Sequence, residues 1–203
     1  MLSPGTTLAP EVRKGSAAGT AERTGESLGV HGAARVVCAH IVKGGALSRQ
    51  SSPLLTQQSV GLLLSKTSKA TTVGAIAWKS QRSVTVGLLQ VRTVLPELEQ
   101  GIIRIHIRWP APSQPRYQYL IGGASVRRLC VNDPHPPYDG THKHMINPLG
   151  SEEDAYQPTD IPAVPLAPRV APGTYRAILE AFAGECEVSL GEDFVWTEPG
   201  RRA

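Results

Sequence analysis

The first 95 residues of this chain lack most of the side chains from which a folded core is built. They contain no Asp, Asn, Tyr or Phe, and Trp78 is their single aromatic residue. Buried aromatic side chains contribute much of the apolar area of a core, so a segment without them is poorly equipped to fold alone. We therefore predict a largely disordered extension over residues 1–82, with 83–98 as a linker or an uncertain first strand.

Carboxylates are also scarce in this part of the chain. Residues 1–95 hold eleven Lys or Arg against three acidic residues, whereas residues 96–203 hold ten against fourteen. The chain thus combines a basic extension with a mildly acidic folded part. A translation start assigned too far upstream would leave the same break in composition. In either case, a chain that begins near Ser83 is expected to fold.

Long hydrophobic runs are missing as well. Apolar patches such as "VGLLL" and "VGAIAW" are far shorter than the roughly 18 residues of a membrane span. The first ten residues include two Pro and one Gly, which does not fit the apolar run of a secretory signal. We expect a cytoplasmic protein without a membrane partner.

Cysteine is too sparse to define a framework. Cys38, Cys130 and Cys186 are odd in number and widely spaced. No C-x-x-C pair is present, so the sequence favours neither a set of disulfides nor a cysteine-based zinc site.

Clear periodicity begins near residue 99. In "GIIRIHIRW" isoleucines alternate with Arg104, His106 and Arg108, which is the period of a strand with one buried face. "YQYLI", the turn Gly122-Gly123 and "ASVRRLCV" predict a hairpin.

The remaining elements complete a small α+β domain at 99–196, followed by a tail at 197–203. Apolar residues at helical spacing predict one helix that begins at a Thr174 cap and ends at Gly184. "ECEVSL" and "DFVW" are candidate short strands. The fold class we expect is α+β, with an antiparallel sheet of three to five strands and one helix.

The stretch "HPPYDGTHKHMIN", residues 135–147, concentrates the candidate chemistry. In extended backbone His142 and His144 lie on the same side, with Lys143 opposite. Both imidazoles would then reach one metal ion, and His135 and Asp139 could add the third and fourth ligands. Zinc is the candidate cofactor, because it accepts His nitrogen and carboxylate oxygen in a tetrahedral shell.

A second interpretation uses the same histidines without a metal. His142, His144 and Arg128 would act as catalytic groups on a phosphodiester. Guanidinium groups bind phosphate through paired hydrogen bonds, and a histidine can move the proton. The substrate-binding candidates are Arg104, Arg108 and Arg127.

The leading functional hypothesis is therefore a phosphate-directed site, in a nuclease or another hydrolase. The alternative is an interaction module that presents the loop to a protein or a nucleic acid. Alternating charge on a strand also arises simply from solvation of its outer face.

A resemblance rests on "VRRLCVNDPHPPYDGTHKH" and the later "YQPTDIP". These segments resemble small uncharacterised bacterial and phage-associated domains, in which an Arg-Leu-Asp strand leads to a Gly-Thr-His-Lys-His segment. The resemblance covers about residues 100–196 and implies a recurring domain without a known activity. This sequence departs from the pattern at Cys130, where the pattern carries an acid.

Overall fold

A computed structural model describes residues 55–147, 152 and 154–200 of the chain. The described part contains two helices, a short 3-10 turn at Lys66–Ser68, and seven strands. In chain order these are helix α1 (Gln57–Leu63), strands β1 (Thr71–Gln81), β2 (Val84–Arg92), β3 (Gln100–Arg108), β4 (Arg116–Ile121), β5 (Ala124–Cys130), β6 (His142–Met145) and β7 (Ala155–Tyr156), and helix α2 (Thr174–Glu185).

The seven strands form one antiparallel sheet, in which each strand pairs with the next along the chain. The α+β class is confirmed, but the expected three to five strands are too few. Strand β1 occupies residues that the composition assigned to an extension, whereas β2 lies within 83–98, where a first strand or a linker was expected. Their apolar side chains are small or aliphatic, so a scarcity of aromatic residues did not prevent folding. The expectation for residues 1–54 lies outside the described residues.

The sheet has an inner face, which packs against α2, and an outer face on the opposite side. Alternate residues of β3 and β4 point inward and are buried, among them Ile103, Ile105 and Tyr117. The predicted period of two in "GIIRIHIRW" is confirmed, since Arg104, His106 and Arg108 lie on the other side of the same strand.

Helix α2 supplies the second layer of the core. Its apolar stripe is buried, as its spacing predicts, and comprises Tyr175, Ile178, Leu179, Phe182 and Ala183. The Tyr117 hydroxyl donates to the Tyr175 carbonyl at 2.9 Å. The helix begins after Gly173, which adopts a positive φ of 80°, so Thr174 is the first helical residue rather than its cap. Helices α1 and α2 have 7 and 12 residues, and no helix in the described part is long and apolar enough to cross a membrane.

The segment after α2 lies along β1 instead of forming the expected strands. Ser189 and Val195 make isolated parallel bridges to Thr71 and Ala75 of β1. Farther along, the Thr197 carbonyl accepts from the Trp78 indole of β1 at 2.8 Å. This segment covers part of an edge strand that would otherwise expose unpaired backbone groups.

Candidate metal centre

Strand register brings three potential metal ligands together on the outer face. In the β5–β6 pair Cys130 lies opposite His142, and Arg128 lies opposite His144. Paired residues of an antiparallel sheet point to the same side, and so do residues two apart in one strand. Cys130, His142 and His144 therefore share one patch of the sheet, with Lys143 on the inner face as its position in the sequence predicts.

Both histidines are held by backbone carbonyls. His142 Nδ1 lies 2.9 Å from the Gly140 carbonyl oxygen, and His144 Nδ1 lies 3.1 Å from that of Glu152. A carbonyl oxygen only accepts, so each Nδ1 must carry the proton and donate. Each Nε2 then holds a free lone pair. This is the arrangement in which a metal-binding histidine is oriented by a partner at its other ring nitrogen.

The two Nε2 atoms are buried, and neither makes a hydrogen bond in the part of the chain that the structure describes. His142 is 0% and His144 is 5% exposed. A buried polar atom without a partner costs about 1–3 kcal/mol. Two such lone pairs on adjacent rings require an explanation.

The Cys130 thiol completes the cluster. One potential ligand atom from each of Cys130, His142 and His144 lies within 4.8 Å of the others. In tetrahedral zinc the ligand atoms are about 3.3 to 3.6 Å apart, given Zn–N and Zn–S bonds of about 2.0 to 2.3 Å. Side-chain rotations that move the ligand atoms by up to about one ångström each would bring the three atoms to that separation.

The protonation states suit a cation. Burial lowers the pKa of His142, although the hydrogen bond to Gly140 opposes this. Burial and the nearby Arg128 lower the pKa of His144. Burial raises the pKa of the Cys130 thiol, while Arg128 and Arg116 act against that shift. Both imidazoles are thus neutral ligands near pH 7, and a bound metal would displace the thiol proton.

The loop between β5 and β6 lies over the cluster. His135 and Tyr138 exchange two backbone hydrogen bonds of 2.8 and 2.6 Å, across a cis bond between Pro136 and Pro137. The Tyr138 ring stacks on His142 with centroids 5.0 Å apart. The His135 ring lies edge-on to His142 with centroids 4.4 Å apart. The loop therefore covers one ring and places a third imidazole beside it.

The sequence-predicted metal ligands are only partly brought together. His142 and His144 lie side by side, with ring centroids 4.8 Å apart, and His135 adjoins them. His135 and Asp139 are exposed loop residues, and neither belongs to the group formed with Cys130. Cys130 takes the place where the resembling pattern carries an acid, and without a C-x-x-C partner it has no zinc-site signal in the sequence.

The predicted arginines divide between the two faces. Arg128 lies beside the cluster and pairs with Glu152 at 2.7 Å. Arg104 and Arg108 are also on the outer face, where Arg104 donates to Gln118 at 2.5 Å. Arg127 is on the inner face and pairs with Glu185 of α2 at 3.2 Å. Arg127 therefore does not face the histidines.

A separate charged network lies on the inner face. Lys143 is fully buried, and its ammonium group lies 2.8 and 2.7 Å from the two oxygens of Asp160 and 3.5 Å from Glu185. The Tyr156 hydroxyl donates to the same Glu185 carboxylate at 2.7 Å. These contacts join β6, β7, α2 and the loop at Asp160, which fixes the strand that carries both histidines.

No protein-family model, no curated protein and no solved structure matches this chain. The likeness of its Gly-Thr-His-Lys-His segment to other small domains remains a resemblance of motif.

Proposed function

We propose that this domain binds one zinc ion through Cys130 Sγ and the Nε2 atoms of His142 and His144. The observation that carries the proposal is the pair of buried Nε2 atoms, which have no hydrogen-bond partner among the described residues while each Nδ1 donates to a carbonyl. Thiolate and imidazole ligands in a tetrahedral set are typical of zinc.

His135 is the proposed fourth ligand. It belongs to the loop over the cluster, and its ring centroid lies 5.5 Å from that of His144. A zinc ion with four protein ligands has a structural role, and binding energy is then folding energy. In this proposal zinc holds the β5–β6 loop on the outer face.

A phosphate-directed hydrolase is the second candidate. His135 is exposed, and its Nδ1 is 3.3 Å from the carbonyl of the adjacent Pro136. In this candidate a water molecule or a phosphate oxygen would bind the metal in place of His135. Three protein ligands and one open position are the pattern of catalytic zinc. Arg128, opposite His144, would then lie near the bound phosphate. The burial of both ligand histidines favours the structural role.

Cobalt titration of the full chain tests the metal proposal. Co²⁺ replaces zinc in tetrahedral sites and absorbs visible light, with a charge-transfer band when a thiolate is bound. We expect one equivalent to bind, Cys130→Ser to remove the thiolate band, and His142→Ala to weaken binding at least tenfold. His106→Ala, on the same face but outside the cluster, is the matched control. Absence of binding, or an unchanged thiolate band in Cys130→Ser, would refute the proposal.

The His135→Ala variant separates the two roles. As a structural ligand, His135 contributes to affinity, so its loss should weaken cobalt binding and lower the melting temperature of the metal-loaded chain. A catalytic site would keep the metal with three ligands, and the zinc-loaded chain would cleave a phosphodiester such as RNA in a chelator-sensitive way. Cleavage that survives chelation would instead support the metal-free histidine mechanism.

A further inference from the structure

Basic side chains collect on the outer face beyond the metal cluster. Register places Lys79, Val86, His106 and Arg116 in one row across β1–β4, which continues to Cys130 on β5. Arg104 and Arg128 lie in the neighbouring row, separated by Gln118. Paired residues point to the same side, so the outer-face cations form one surface. We call this surface the basic face: Lys79, Arg104, Arg108, Arg116 and Arg128.

Acidic residues form ion pairs with the basic face at one end only. Strands β1 to β6 contain no Asp or Glu. Asp133 accepts from Arg116 at 2.7 Å and lies 4.0 Å from Arg108, while Glu152 pairs with Arg128. Within the described part of the chain, no carboxylate pairs with Lys79 or Arg104. Positive charge is therefore left uncompensated toward β1.

Three arginines surround one histidine on this surface. His106 lies directly opposite Arg116 and between Arg104 and Arg108 on its own strand. Burial lowers the pKa of His106, and Arg116, Arg104 and Arg108 lower it further. The neutral imidazole is therefore favoured, and the positive charge around it comes from the three arginines. An anionic partner would lower the positive potential of this group.

The extent of the surface selects the partner. From Lys79 on β1 to Arg128 on β5 there are four strand spacings, or about 19 Å at about 4.8 Å each. One phosphate or one small anion contacts only a part of such a span. A polymer with regularly repeated phosphates contacts all of it, and guanidinium groups suit phosphate oxygens. Aromatic side chains for base stacking are not part of the basic face.

We propose that the basic face binds the phosphate backbone of nucleic acid without regard to base sequence. The proposal rests on the placement of the cations and not on the metal. Binding of this kind depends on release of counterions, so affinity falls as salt rises.

Fluorescence anisotropy of the full chain with a labelled 25-base-pair duplex of arbitrary sequence tests the proposal. We expect the double variant Lys79→Glu/Arg104→Glu to weaken binding at least tenfold at about 100 mM salt. It should also flatten the slope of log affinity against log salt by about one for each lost phosphate contact. The control is Arg176→Glu, which reverses an exposed charge on α2 and should change affinity less than twofold.

Three results would overturn the proposal: no binding, equal weakening by Arg176→Glu, or tighter binding of polyglutamate than of the duplex. The last would assign the surface to an acidic protein. An unchanged melting temperature and circular-dichroism spectrum of the double variant show that it is folded. This control does not involve the metal, so failure of the zinc proposal is detected in the cobalt titration and not in the anisotropy.

Discussion

At the scale of single residues, the site depends on which ring nitrogen carries the proton. Gly140 and Glu152 provide carbonyl acceptors for Nδ1 of His142 and His144, and this leaves both buried Nε2 atoms without a hydrogen-bond partner among the described residues. The sequence predicted the two histidines on one side of a strand. It could not predict the carbonyl partners, because they come from loops with no periodic pattern.

Cys130 was missed for a related reason. Its importance comes from lying opposite His142 in β5–β6, and that register depends on a loop of irregular length and conformation. A lone cysteine has no spacing signal. Only the predicted hairpin strand that contains it, placed beside the histidine strand, could have indicated the pairing.

His106 offers a measurement of the charge on the basic face. We expect an NMR titration to give a pKa below the usual value of 6.5, because burial and three neighbouring arginines disfavour the imidazolium. Replacing Arg116 with Gln removes one repelling charge, so the pKa of His106 should rise. Arg176→Gln, on the helix, should leave it unchanged. A pKa at or above 6.5 in the unmodified chain would show that the arginines do not act as described.

Lys143 is expected to be a structural cation. Lys143→Met leaves the carboxylates of Asp160 and Glu185 without their buried partner, and we expect the free energy of unfolding to fall by about 2–3 kcal/mol. The loss is limited because Asp160 is 43% exposed and can be hydrated. Urea denaturation measures it. Arg176→Met breaks the exposed pair with Glu180 and should cost less than about 0.5 kcal/mol; equal losses for the two variants would argue against this role.

At the scale of elements, the sequence predicted those strands and helices whose apolar residues recur at a regular spacing. Strands β3, β4 and β5 and helix α2 were predicted because their apolar residues recur at the period of the element. Strand β1 was not predicted, because its buried side chains are few, such as Thr72 and Ile76. Its pairing with β2 is also interrupted at Gly74, which has a positive φ. Its strand structure depends on pairing with β2 and with the segment at 189–195. The local sequence of β1 carries no sign of these partners.

Removing β1 tests the corrected boundary. A chain that begins at Ser83 loses the paired edge of β2 and the partner of the 189–195 segment. We now expect it to lack a cooperative unfolding transition, contrary to the expectation from composition. A chain beginning at Leu55, which keeps α1 and β1, is the matched control. Circular dichroism during heating distinguishes them, and a cooperative transition in the shorter chain would restore the original boundary.

Close packing of β1 on β2 predicts the effect of a single methyl group. A Cβ on Gly87 would lie 2.5 and 2.8 Å from ring carbons of Trp78 and 2.9 Å from Ile76 Cδ1. Gly87→Ala should therefore reduce the free energy of unfolding by about 1–3 kcal/mol. Gly61→Ala, in α1 with nothing within 4 Å, should stabilise by up to about 1 kcal/mol. Chemical denaturation of both variants checks the pair, and a neutral Gly87→Ala would mean that Trp78 is loosely packed.

At the scale of the whole molecule, the two faces of one sheet have different roles. The inner face packs against α2 and ends in the Lys143 network, which fixes β6 from behind. The outer face carries the cluster of Cys130, His142 and His144 and, toward β1, the basic face. The sequence predicted a phosphate-directed set of arginines and histidines as one site. The structure places the arginines along several strands and the histidines in a covered cluster, so we propose separate functions for the two groups.

X-ray absorption at the zinc edge tests the central claim most directly, because it reports the atoms bound to the metal. For the full chain loaded with one equivalent of zinc, we predict one sulfur at about 2.3 Å and nitrogen neighbours at about 2.0–2.1 Å. The sulfur should disappear in Cys130→Ser. A chain that retains no zinc, or a shell of oxygen and nitrogen alone, would contradict the account.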